Sequence, residues 1–75
     1  MRVFVNATPL DVPSGATALE CVRNWRADEA DAVVSGTRLI TDSRGLPIEA
    51  ATSAVAGSIY RTIANRRRDE RASPE

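Results

Sequence analysis

The chain has 75 residues, with ten arginines and no lysine set against ten acids, no histidine and one cysteine, Cys21. That length holds one domain whose core is too small for an elaborate catalytic cleft, and a formal net charge of zero supplies no field that steers the chain toward nucleic acid or an anionic membrane. Lacking histidine and lysine, it has neither the commonest general base and zinc ligand nor a Schiff-base amine, and a single cysteine excludes an intramolecular disulfide.

The chain opens on Arg2-Val3-Phe4-Val5, with alternating side chains, and after Asn6-Ala7-Thr8-Pro9 comes Leu10-Asp11-Val12 before Pro13-Ser14-Gly15. Two short alternating runs around a tight polar turn predict a β-hairpin, with Pro9 and Pro13 at strand ends, where a missing donor is tolerated. No long apolar stretch follows Arg2, so a signal peptide is not expected, and no apolar run approaches the roughly 20 residues that cross a bilayer. The expected setting is cytoplasmic.

Thr17 followed three residues later by Glu20 forms a capping box. Ala18, Cys21, Val22 and Trp25 then recur at the spacing of one helix face, with Glu20, Arg23, Asn24 and Arg26 largely on the other side. The helix should stop near Arg26 or Ala27. Asp28-Glu29-Ala30-Asp31 then reads as an acidic connection or a frayed last turn, because acids oppose the dipole at a helix C-terminus.

Ala32-Val33-Val34-Ser35 predicts the next strand, Gly36 a bend, and Arg38-Leu39-Ile40-Thr41 a further strand or edge. Asp42-Ser43-Arg44-Gly45 has the aspartate-first, glycine-fourth composition of a type I turn, and Pro47 in Leu46-Pro47-Ile48 suggests an edge piece. Residues 50–54 read as loop or a single helical turn, and Val55-Ala56-Gly57-Ser58 leads into a last strand over residues 59–63. Alternation puts Ile59, Arg61 and Ile63 on one face. An arginine on an apolar face is best accommodated if Arg61 lies at a sheet edge. From Asn65 onward the residues are polar or charged, so the division expected is a domain over residues 1–64 and a disordered tail over 65–75.

Hairpin, helix and further strands, taken in that order, resemble the β-grasp (ubiquitin-like) fold, and within it the small sulfur carriers related to ThiS and MoaD. The pieces that carry the resemblance are Met1-Arg2-Val3-Phe4-Val5-Asn6, Pro13-Ser14-Gly15-Ala16-Thr17-Ala18-Leu19, Val33-Val34-Ser35-Gly36 and Val55-Ala56-Gly57-Ser58-Ile59. It implies an α+β architecture, a mixed sheet of four or five strands packed on one main helix. Sulfur carriers act through a terminal Gly-Gly whose carboxylate is adenylated and converted to a thiocarboxylate. Here Arg66-Arg67-Arg68 stands where that pair would fall, so the carrier's functional residues do not transfer.

No catalytic constellation, cofactor site or metal site is expected. Serine without histidine cannot form a Ser-His-Asp arrangement, Asp28, Glu29 and Asp31 lack the glycine and ligand spacing of a calcium loop, and single glycines do not make a phosphate cradle. Cys21 and Trp25 read as core residues. Tyr60 has two readings, ordinary cross-strand packing or, with Phe4, Arg61 and Arg2, a patch on the open sheet face that meets a partner. Arg66, Arg67, Arg68 and Arg71 are candidate phosphate contacts, but Asp69 and Glu70 offset them and no basic stripe accompanies them, so nucleic acid is the least favoured partner.

The expectation is therefore a non-enzymatic module that binds a protein partner or a second copy of itself through its sheet face or an exposed strand edge. A carrier or modifier activated after C-terminal processing is the alternative, with RNA binding through the arginine tail behind it.

Overall fold

The computed structural model describes residues 1–65; the arginine cluster Arg66, Arg67 and Arg68 lies outside the described residues. Strands β1 (Arg2–Val5) and β2 (Thr8–Asp11) pair antiparallel, with Arg2 opposite Asp11 and Val5 opposite Thr8. Only Asn6 and Ala7 remain between them, and both have positive φ, 50° and 69°. A two-residue loop of this hand matches the twist of the strands and ordinarily selects Asn-Gly. Alanine stands in the glycine position here, at a steric cost of roughly 1–2 kcal/mol. Pro9, expected at a strand end, lies within β2 opposite Phe4.

Helix α1 (Ala18–Trp25) starts as the sequence indicates. The Thr17 hydroxyl accepts from the Glu20 N–H at 3.1 Å, and the Glu20 carboxylate accepts from the Thr17 N–H at 2.8 Å. The next two free donors are met by the loop before the last strand: Ala18 N–H donates to Thr52 O and Leu19 N–H to Ala50 O. That loop is thereby held along the start of α1, which satisfies the donors a helix N-terminus leaves open. Ala18, Cys21 and Val22 are fully buried, and Trp25 packs half-buried against the same core. The Arg26 guanidinium lies over the Trp25 ring, 4.7 Å from its centroid.

Residues expected as an acidic connection and a strand instead form a second helix, α2 (Ala27–Ser35). Arg26, in extended conformation, is the single residue between the helices. Asp28 and Glu29 fall in the first turn of α2, where acids favour the dipole. At the other end Gly36 takes φ 91°, with Gly36 N–H bonded to Val33 O and Thr37 N–H to Ala32 O. Those two bonds are the Schellman termination. The segment Val33-Val34-Ser35-Gly36 thus ends a helix, and the sheet packs on two helices rather than one.

Strands β3 (Arg38–Thr41), β4 (Pro47–Ile48) and β5 (Ile59–Ala64) complete a five-stranded mixed sheet in the order β2-β1-β5-β3-β4. Its centre is the parallel pair β1 and β5, and its other pairings are antiparallel. The turn between β3 and β4 follows expectation: Gly45 N–H donates to Asp42 O, while the Asp42 carboxylate accepts from the N–H groups of Arg44 and Leu46. Val3, Val5, Ile40 and Tyr60 from the sheet meet Ala18, Cys21, Val22 and Ala30 from the helices in one buried cluster. The architecture is α+β.

Candidate functional site

The two faces of the sheet differ. Pairing puts Val3, Val5, Tyr60 and Ile40 toward the helices, and Arg2, Phe4, Ile59, Arg61 and Ile63 toward solvent. Ile59 and Ile63 are each 43% exposed on the central strand; half-buried Phe4 lies opposite Ile59 and half-buried Leu39 opposite Ile63. Tyr60 does not join them. It is 5% exposed, in the core, so cross-strand packing is the reading that holds for it.

Ile59, Arg61 and Ile63 share a face as alternation requires, but Arg61 is not at a sheet edge. Strand β5 lies between β1 and β3, and the face that Arg61 occupies is the open one, where a guanidinium reaches water without displacing core. Arg61 lines a shallow depression with Phe4, Asn6, Ala7 and Ile59. Arg2, on the same face, is engaged: its Nε lies 3.0 Å from Asp11 Oδ1. That hydrogen bond, with the attraction of the two charges, raises the Arg2 pKa and lowers that of Asp11. Among the described residues Arg61 has no ion-pair partner.

Asn6 fixes the rim of the depression. Its N–H donates to Tyr60 O, its Oδ1 accepts from Thr62 N–H at 3.1 Å, and its Nδ2 donates to Thr62 Oγ1 at 3.0 Å. Thr62 Oγ1 in turn donates to Glu29 Oε2 at 2.6 Å, and Arg38 Nε lies 3.5 Å from the same oxygen. The chain of contacts ties the hairpin turn to β5, α2 and β3. Sequence reasoning marked Asn6 and Ala7 as turn residues, but not Asn6 as a clamp, because its partner is 56 positions away.

Both strand edges are blunted. Met1 and Val12 exchange backbone bonds, so along the antiparallel ladder Val3 with Leu10 and Val5 with Thr8 are the directly bonded pairs. The nitrogens of Pro9 and Asp11 therefore point off the sheet, and Pro9 has no hydrogen to offer. On the other side Asp42 N–H bonds Leu46 O, which makes Ile40 and Ile48 a bonded pair and turns the Pro47 nitrogen outward. An incoming strand meets a proline at either edge.

The remaining candidates resolve into structure. Cys21 is fully buried, and burial, followed by the nearby Glu20 charge, pushes its thiol pKa up, away from nucleophilic use. Glu29 turns toward the sheet while Asp28 and Asp31 stay exposed, and among the described residues no group of three or more acids or cysteines is placed to hold a metal. A second concavity beside the start of α1, lined by Ser14, Gly15, Glu20, Arg23 and Asn24, is bordered by the capping box that already occupies Glu20. No helix among the described residues is long and apolar enough to cross a membrane. Compared with models of protein families, with curated proteins and with solved structures, the chain finds no match.

Proposed function

We propose that the chain is a non-catalytic β-grasp module of the ubiquitin-like kind, which acts by protein–protein contact through the open face of its sheet. Support for the fold lies in the strand order β2-β1-β5-β3-β4 around a central parallel pair, with helix α1 crossing between the hairpin and the later strands. The contact reading rests on one observation: the central strand carries Ile59 and Ile63 on the solvent side, each 43% exposed. A central strand usually spends its isoleucines on the core, and apolar side chains on an open face, Ile59 beside Phe4 and Ile63 beside Leu39, are what a partner can cover. The proline-blunted edges favour this face over strand addition. The sequence holds no histidine or lysine and its one cysteine is fully buried, which fits a module that acts by contact.

A carrier role is the weaker reading, since Arg66, Arg67 and Arg68 follow β5 where a slim glycine pair is needed.

Photo-crosslinking from a benzoylphenylalanine placed at Ile63, compared with one at Val34 on the exposed side of α2, tests the contact reading in the native cell. The expected result is a discrete adduct from position 63 and none from 34; adducts from 34 alone would overturn it. Intact mass of the same material reports on the weaker reading, because a thiocarboxylate would appear as a defined mass change.

A further inference from the structure

Resting on the sheet-face reading above, we infer that the depression beside Arg61 takes an extended segment of a partner protein that carries an apolar side chain and a carboxylate two residues apart, on one face. Three observations converge on it. Phe4, Ala7 and Ile59 supply an apolar floor and wall, open to solvent, at the meeting of the hairpin turn with the first residue of β5. Arg61 stands at its border with no ion-pair partner among the described residues; the strands on either side of it, β1 and β3, carry no acid, and Asp11 on β2 already binds Arg2. A guanidinium left free beside apolar groups is the geometry for a carboxylate bound through paired N–H donors.

The third observation is strain. Ala7 holds φ 69° in a turn whose natural residue is glycine, and its methyl group is on the wall of the depression. A backbone outlier retained at a concave surface points to a use for the side chain that causes it. Asn6 holds the turn rigidly to β5 through its three bonds, so the depression is preformed.

Other occupants fit less well. A second copy docked face to face would bring one Arg61 toward the other, with Asp11 already engaged; like charges across an interface are disfavoured. A nucleic acid needs several cations along a backbone path, and among the described residues Arg61 is the one cation that lines the depression.

The test is fluorescence polarisation on the full chain with three labelled probes: a nonapeptide with serine at the even positions and leucine and glutamate taking turns at the odd ones, so that both share one face, the same peptide with lysine for glutamate, and a uridine dodecamer RNA. Wild type should bind the leucine–glutamate peptide at least tenfold more tightly than the other two. Arg61→Glu should lose that affinity at least fivefold and gain for the lysine peptide, and Ala7→Gly should weaken binding two- to threefold without loss of fold. Equal binding of the two peptides, preference for RNA, an Arg61→Glu variant with unchanged preference, or no peptide binding at millimolar protein would each overturn the inference. Amide chemical-shift mapping separates it from the reading beneath: shifts at Phe4, Ile59 and Ile63 with no dependence on Arg61 leave the sheet-face reading standing and remove the acidic partner, whereas shifts confined to α1 and α2 remove both.

Discussion

Strand β5 carries two surfaces on one backbone, and they are built from different requirements. Tyr60 faces the helices and is enclosed with Val3, Val5, Ile40 and Val22, whereas Ile59 and Ile63, one and three residues from it along the strand, stay close to half exposed. The core is assembled mainly from valine, alanine and one cysteine, so it is small, and larger apolar side chains that would enlarge it are spent outside. The contrast teaches that hydrophobicity along β5 measures two things: packing on one side and availability to a partner on the other.

The contrast breaks most sharply under a matched pair of truncations. Ile40→Ala removes a side chain that is 2% exposed and should cost about 2–5 kcal/mol in urea denaturation, whereas Ile63→Ala should stay within about 0.5 kcal/mol of wild type. Similar losses from both would mean that the outer face is structural. Next in size is Asn6→Ala, which leaves Thr62 N–H without its acceptor and should cost about 1–3 kcal/mol, read by thermal unfolding. The strained turn gives a gain: Ala7→Gly should stabilise by about 1 kcal/mol, because glycine adopts the left-handed conformation without a steric penalty.

Smallest is the acid response of Asp42. Bonds from Leu46 N–H, then from Arg44, hold its pKa below the ordinary 3.8. A lowered folded-state pKa contributes stability that is complete above the unfolded value and is lost as the pH falls from about 3.8 through the folded pKa. The urea midpoint should therefore decline in that window, and Asp42→Asn should flatten part of the decline. This carboxylate sits at the surface with its side chain 23% exposed, and its exposed partner Arg44 keeps the effect modest and sensitive to salt.

Much of the fold is legible in local chemistry. The capping box fixes the start of α1, the alternation around Asn6-Ala7 gives the hairpin, and Asp42 with Gly45 gives the turn after β3. Helix α2 was not legible because two signals pointed the wrong way. Val33 and Val34 are β-branched, and acids at 28–31 fit the unfavourable end of α1 as readily as the favourable start of a new helix. Gly36 was the signal that would have corrected this, as a glycine just beyond a helix and not a bend between strands. At the candidate site, alternation groups Phe4 with Arg2 and Arg61 with Ile59 and Ile63, so the patch expected from Phe4, Tyr60, Arg61 and Arg2 joined residues of two faces, and Tyr60 belongs to the core. Which side of the sheet each group faces was not legible, since alternation separates two faces without saying which one the helices cover.

The Ile59→Ser/Ile63→Ser double variant tests the separation of the two faces most directly, through the fraction of the protein found in complex when native-cell extract is sized by gel filtration. The account predicts that wild type elutes in a larger assembly and that the variant, folded with a urea midpoint close to wild type, elutes as the free chain. A variant that stays in the assembly as wild type does would contradict it.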